Sequence, residues 1–231
     1  MVIAGLEKLT LLDYPGRLSA IIFTYGCNMV CSYCHNPELV VGKLNRKAIY
    51  SEDEVLKFLE TRVGKLDAVT ITGGEPTMHK DLPQFIKKVK ELGFELKLDT
   101  NGSFPKIVAA IAETGLVDYW AMDVKYAEEL YSQGLNGGQM ITGINESIQT
   151  IMNCGAEYEF RTTYIRSLHN DESVEKIGQM VNGAKSYYIQ NFRPGKTIDP
   201  SLTGKESFKP NELEHFAQIM RNYVDRVEIR A

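Results

Sequence analysis

The chain is poor in the residues that most often announce a mechanism. Of its 231 residues, four are cysteine, four histidine and one tryptophan. Four cysteines are too few, at this length, for the disulfide framework of a small secreted domain. No apolar run approaches the roughly 20 residues that span a bilayer, so no membrane segment is expected. The formal charge is −4 with Lys and Glu interspersed, which leaves no basic footprint for nucleic acid or anionic lipid. A basic stretch followed by an apolar one is missing after Met1, and the cysteine usage is that of a reducing compartment; a cytoplasmic location is expected. Internal repeats, low-complexity tracts and long Pro/Gly/Ser linkers are also missing. With 43% hydrophobic residues, the chain can bury one sizeable core, and a single domain over residues 1–231 is expected.

What is present is concentrated. Cys27, Cys31 and Cys34 stand in the loop 25–37 with the spacing C-x3-C-x2-C. Three thiolates this close can hold three irons of a [4Fe–4S] cube and leave the fourth iron without a protein ligand, whereas electron-transfer clusters usually close all four with cysteine. An open iron is a place for a small molecule to bind and react. Three plainer readings compete. A Cys3His zinc site would need His35, which directly follows Cys34, and lacks the paired C-x2-C knuckles. Haem attachment fits Cys31-Ser32-Tyr33-Cys34-His35 as C-x-x-C-H, but gives Cys27 no role and normally accompanies export. A disulfide scaffold does not suit the length.

Strand and helix patterns alternate along the chain. Buried-strand runs are expected at Leu18–Thr24, Asp67–Thr72, Phe94–Asp99, Val117–Val124, Tyr158–Tyr164 and Ser186–Gln190. Helical stripes lie between them: one from Ser51 with an S-x-x-E capping box to Glu54, then Leu82–Leu92 stopped by Gly93, Phe104–Thr114 stopped by Gly115, Asn145–Asn153, Glu172–Asn182, and finally Asn211–Val224. Six β-α units imply parallel strands joined by right-handed crossovers, in a partial barrel or an open doubly wound sheet. Chemistry in such barrels sits at the C-terminal strand ends.

The polar motifs fall at those ends. The cysteine loop follows the first strand. The second runs into Thr72-Gly73-Gly74-Glu75-Pro76, where two glycines permit close backbone approach and Glu75 adds a carboxylate, a pocket suited to an amino group. The third ends in Asp99-Thr100-Asn101-Gly102. On the fourth, Asp123 and Lys125 point to the same side by strand alternation. A Lys beside two acids can hold a carboxylate, or the acids can hold a cation; a strand-end salt bridge is the plainer alternative. Cys154, His79, His169 and His215 stand apart, and solvent-facing, capping or packing roles are expected for them. Trp120 and Tyr187-Tyr188 read as packing residues, and 134–142, with Gly137-Gly138, as a loop at the rim of the site. A metal-binding or electron-transfer protein without catalysis would leave the GGEP and Asp-x-Lys pieces without purpose.

Cys27/Cys31/Cys34 with the aromatic Tyr33, followed by GGEP, resemble the radical S-adenosylmethionine superfamily, and the resemblance runs through the whole chain in strand order. Asp13-Tyr14-Pro15-Gly16, Tyr33-Cys34-His35-Asn36-Pro37, Asp99-Thr100-Asn101-Gly102 and Asp123-Val124-Lys125 are similar to the glycyl-radical-enzyme activases. Within that group the segment from Gly5 to Gly16 most resembles the activating proteins of anaerobic ribonucleoside-triphosphate reductase. The resemblance implies an α/β partial (β/α)6 TIM-like barrel, with a [4Fe–4S] cluster on Cys27, Cys31 and Cys34 and S-adenosylmethionine on the open iron. Tyr33 would lie near the adenine, and Gly73, Gly74 and Glu75 would receive the methionine amino group. Lys125 would serve the carboxylate and Arg161 would face the cofactor. Asp99, Thr100 and Asp123 would form a Na+ or K+ site. Where some activases carry a histidine near the ribose, this chain reads Gln190-Asn191-Phe192-Arg193-Pro194, so Gln190 or Arg193 would substitute. The implied partners are a glycyl-radical enzyme, anaerobic ribonucleotide reductase first among them, and a flavodoxin- or ferredoxin-type reductant. A formate-lyase-type activase, or a small-molecule enzyme such as a carboxy-deazaguanine synthase, is the alternative.

Overall fold

The computed structural model describes residues 1–42, 49–134, 139–202 and 204–230. Its frame is one eight-stranded sheet in which spatial order equals chain order: β1 Ile3–Thr10, β2 Ser19–Thr24, β3 Ala68–Gly73, β4 Glu95–Thr100, β5 Tyr119–Asp123, β6 Glu157–Tyr164, β7 Ser186–Asn191 and β8 Arg226–Arg230. From β2 to β8 every pairing is parallel. The connecting helices are α1 Pro37–Val40, α2 Glu52–Glu60, α3 Leu82–Glu91, α4 Pro105–Glu113, α5 Glu128–Gly134, α6 Gln139–Asn153, α7 Asp171–Met180 and α8 Pro210–Met220. Among the described residues β8 does not pair with β1, so the barrel stays open along one side.

The six expected strands are β2 to β7, and the Ser51–Glu54 capping box forms with both hydrogen bonds in place. The expected loop over 134–142 is corrected in part, since Gly134 closes α5 and Gln139–Thr142 open α6; residues 135–138 lie outside the described residues. Two strands escaped the sequence reading. β1 pairs antiparallel with β2 and buries only Ile3 fully, so its pattern carries little hydrophobic signal. β8 is five residues long, and three of them are charged.

Strand alternation separates two environments. One set of side chains faces the helices: Ile22, Val69, Leu98, Trp120, Phe160 and Ile189 pack with Val55, Leu59, Phe85, Ile111, Ile148 and Ile177 in a continuous apolar core. Burying each large aliphatic group there contributes about 1.5–3 kcal/mol. The other set turns inward and is polar on several strands: Thr70 on β3, Lys97 and Asp99 on β4, Asp123 on β5, Glu159 and Arg161 on β6. Barrels of this type usually fill that space with branched apolar side chains. At its far end Tyr14 from the Asp-Tyr-Pro-Gly turn is buried against Tyr119, with ring centroids 5.5 Å apart, so this motif closes the base of the barrel.

Candidate functional site

One cavity collects the expected residues at the C-terminal ends of β2 to β6. Cys27, Cys31, Cys34 and Tyr33 come from the loop after β2, and Gly73, Gly74 and Glu75 from the end of β3. Asp99 and Thr100 come from β4, Asp123 and Lys125 from β5, and Arg161 from β6. Gln190 is the exception. It does not line this cavity; its Oε1 accepts from the Thr163 hydroxyl at 3.2 Å, and Thr163 is the residue at the wall. The two stand opposite each other in the β6–β7 register, with Thr163 one strand nearer the cavity.

The three thiols share this cavity, yet among the described residues no three His, Cys, Asp or Glu side chains converge as ligands of a single ion. The zinc alternative needs His35 as its fourth ligand. His35 is withdrawn: its Nε2 lies 2.8 Å from Arg193 O and its ring stacks on Phe192. The strap after β7 holds the cysteine loop further, with Ile198 N donating to Cys34 O and Asp199 N to Ser32 O. Burial pushes the Cys27 thiol up to about 11, against a partial offset from the Met29 N–H, and pushes Cys34 up as well. Loading an iron–sulfur cluster here therefore releases protons. The donor set fits such a cluster.

The glycines of GGEP are required by the protein itself. A Cβ on Gly74 would sit 1.9 Å from Gly26 O, and one on Gly73, whose φ is +119°, would sit 2.3 Å from Thr24 N. Gly74 N donates to Thr24 O at 2.9 Å and Glu75 N to Gly26 O at 2.7 Å. The Gly74 and Glu75 N–H groups are thus taken, so this turn is unsuited to an anion and suits a donor such as an ammonium. Glu75 is buried, with a carboxylate that accepts from Thr77 N at 3.1 Å, Thr100 Oγ1 at 2.7 Å, Asn101 N at 2.7 Å and the Thr77 hydroxyl. Burial raises its pKa against these donors. It ties the ends of β3 and β4 together, which leaves its expected reach to a ligand amino group with little unoccupied acceptor capacity.

The charged wall forms a chain of ion pairs. Asp123 and Arg161 are register partners, and Arg161 Nε meets Asp123 Oδ1 at 2.5 Å while Nη2 meets Asp99 Oδ2 at 3.0 Å. Lys97 holds Asp99 at 2.5 Å and Lys125 holds Asp123 at 3.0 Å. Burial alone would raise both carboxyls, but Arg161 with Lys125 or Lys97 holds them below the usual carboxylate range. Burial would likewise lower Lys125, but Asp123 and the Cys31 sulfur outweigh it and raise its pKa. The position between the two aspartates that the Na+ or K+ expectation assigned to a metal is taken by the Arg161 guanidinium, and the Thr100 hydroxyl is turned to Glu75. The sequence reading also left Asn101 without a role. Its Nδ2 donates to Asn28 Oδ1 at 3.1 Å and lies 3.9 Å from the Cys27 sulfur, so it links β4 to the cysteine loop. His169, expected at the surface or as a cap, is buried; Ile165 N donates to its Nδ1 at 3.0 Å, and its Nε2 faces Lys125 O. Cys154 lies just before β6, at the opposite end of the strands.

The profile of the radical SAM superfamily matches residues 21–182. A candidate glycyl-radical enzyme activating enzyme of Methanocaldococcus jannaschii is 33% identical over 99% of this chain and 95% of its own. The pyruvate formate-lyase-activating enzyme of Clostridium pasteurianum is 25% identical over 85% of this chain and 82% of its own. The 7-carboxy-7-deazaguanine synthase of Thermococcus kodakarensis is 25% identical over 78% and 76%. Among solved structures, Streptococcus suis SuiB bound to S-adenosylmethionine shares the fold with a TM-score of 0.63 at 14% identity, covering 91% of this chain and 52% of SuiB.

Proposed function

The chain belongs to the radical SAM superfamily, and from that premise we propose that it is an activase that forms a glycyl radical on a partner enzyme, anaerobic ribonucleoside-triphosphate reductase being the first candidate. The observation that supports the reading is that one cavity joins three thiols, a glycine turn with engaged N–H groups and a wall of ion-paired Lys125, Arg161, Asp99 and Asp123. When bound and reduced by an external one-electron donor, a [4Fe–4S] cluster with an open iron would supply the electron for reductive cleavage of S-adenosylmethionine, the chemistry that removal of the glycine hydrogen requires. Cys27, Cys31 and Cys34 hold the cluster. The Gly73–Gly74 turn receives the ammonium end, while Lys125 and Arg161 face the carboxylate. Asp99 and Asp123 fix Arg161, Tyr33 borders the adenine, and Gln190 reaches the ribose side only through Thr163. No general base is needed, in keeping with a cavity whose lining histidine, His35, has its Nε2 at the Arg193 carbonyl. A flavodoxin- or ferredoxin-type donor, a cytoplasmic setting and one radical SAM domain over 1–231 belong to the same proposal.

Low-temperature electron paramagnetic resonance tests it, on anaerobically reconstituted protein with S-adenosylmethionine, a reductant and the reductase. A glycyl-type doublet that depends on every component is expected. Formation of 5′-deoxyadenosine without the doublet would overturn the partner, and the same assay with formate lyase or a deazaguanine precursor would then separate the alternatives.

A further inference from the structure

Arg161 does not stand alone on β6. Two residues before it, Glu159 points into the same inner space with a side chain only 1% exposed. Its carboxylate accepts from the Tyr119 hydroxyl at 2.8 Å and from both terminal nitrogens of Arg230, at 2.8 and 2.7 Å. Arg161 Nη1 stands 3.7 Å from Glu159, an ion-pair distance beyond hydrogen-bond length. Arg230 lies on β8, outside the matched superfamily segment, and its guanidinium lies 3.5 Å from the centre of the Tyr188 ring.

We propose that Arg230 is a positioning residue for the cofactor cavity, acting through Glu159: by occupying that carboxylate in a two-pronged pair it leaves Arg161 to bridge Asp99 and Asp123. The inference rests on the reading of this cavity as an S-adenosylmethionine site. A buried ionised carboxylate is costly unless it is paired or hydrogen-bonded. Two guanidiniums are in reach of Glu159, and Arg230 holds it with the paired geometry that makes such contacts strong. Arg226 is engaged elsewhere, with Glu228 and the Tyr188 hydroxyl. Without Arg230, the remaining cationic partner for Glu159 among the described residues is Arg161. Its guanidinium would move about 0.8 Å (3.7 − 2.9) toward Glu159 and loosen from the aspartates, which would then face the ligand carboxylate with only Lys97 and Lys125 to offset their charge. On this view β8 belongs to the site although it touches nothing in it.

The test compares Arg230→Gln with the double variant Glu159→Gln/Arg230→Gln, each with its cluster reconstituted, with iron content and thermal unfolding as checks on folding. In Arg230→Gln, equilibrium dialysis with S-adenosylmethionine should show affinity weakened on the order of tenfold, the scale of couplings between residues sharing one network. Removing the competing carboxylate in the double variant should restore most of it. A merely structural role for the pair predicts the double to be no better than the single. A double variant as weak as Arg230→Gln, or a single variant with unchanged affinity, would overturn the proposal. A crystal structure of Arg230→Gln gives a readout free of any ligand: contraction of the Arg161–Glu159 contact from 3.7 Å to hydrogen-bond length is expected, and an unmoved Arg161 refutes the relay. Failure of the unaltered protein to bind S-adenosylmethionine would instead fault the functional reading, and the crystal comparison would then decide the relay alone.

Discussion

Replacing Gly74 by alanine probes the tightest point of the site. The added Cβ would lie 1.9 Å from Gly26 O and 2.5 Å from Gly26 C, both backbone atoms that cannot swing aside. A carbon–oxygen contact relaxes near 3.3 Å, so the two loops must part by about 1.4 Å (3.3 − 1.9). That movement breaks the Gly74 N to Thr24 O and Glu75 N to Gly26 O hydrogen bonds, at 2.9 and 2.7 Å, each contributing about 1 kcal/mol. Overpacking adds roughly 1–3 kcal/mol. The total, about 3–5 kcal/mol, is a large part of a domain's stability. Urea unfolding of the protein without cofactor should register it as a lower midpoint at constant slope. Gly195→Ala serves as control, because a Cβ there meets nothing within 4 Å, and a change within about 0.5 kcal/mol is expected. A Gly74→Ala protein as stable as that control would refute the view that GGEP glycines are required by backbone packing between β2 and β3.

Cys31→Ala should abolish cluster-dependent 5′-deoxyadenosine formation, measured by chromatography after anaerobic reconstitution; full activity in that variant would sink the cluster assignment. Burial lowers the His169 pKa to about 4, against about 6.5 when unfolded. The neutral ring is therefore the native form, and its stability contribution is present above pH 6.5 and declines as pH falls toward 4, by about 3 kcal/mol over the 2.5 units. The difference between the wild-type and His169→Gln unfolding free energies should carry that slope, and a difference flat in pH would refute it. Because Arg161 bridges Asp99 and Asp123, S-adenosylmethionine binding should change less than about twofold when Na+ or K+ is exchanged for a large organic cation at constant ionic strength, a change within the error of such affinity comparisons. A strong requirement for either metal would show that Arg161 yields its place to it.

The parts of the fold legible in the sequence were those with long apolar runs or capping signals. β2 to β7 and the helix opened by Ser51 and Glu54 belong to this class. β1 and β8 were not legible, since a strand that buries one residue, or has charge at every second position, resembles solvated loop. The inner lining was hidden for a related reason. In Glu95–Thr100 and Glu157–Tyr164 polar residues alternate with apolar ones, a pattern that ordinarily marks a face open to water. Here that face looks into the barrel, and only the closure of strands around it reveals Lys97, Asp99, Glu159 and Arg161 as one network. The cysteine spacing and GGEP needed no such context. The role of the glycines did need it, because their close neighbours, Thr24 and Gly26, lie nearly 50 residues earlier in the chain.

The order of the strands also explains why the site has two chemically different walls. In a parallel sheet whose spatial order follows the chain, neighbouring motifs in sequence become neighbouring walls in space. β2 and β3 deliver sulfur and glycine, with their backbone donors already engaged by each other. β4 to β6 deliver three cations, Lys97, Lys125 and Arg161, against three carboxylates, Asp99, Asp123 and Glu159. This paired wall stands opposite the thiols, and Lys125 is close enough for the Cys31 sulfur to help raise its pKa. A ligand with an ammonium at one end and a carboxylate beside it is met on one side by a turn stripped of donors and on the other by a wall rich in them. Reversing either wall would reject it: free N–H groups at the turn would repel the ammonium, and an Arg161 drawn away to Glu159 would leave two aspartates facing the carboxylate. The selectivity of the cavity thus depends on where its donors are already engaged as much as on which residues line it.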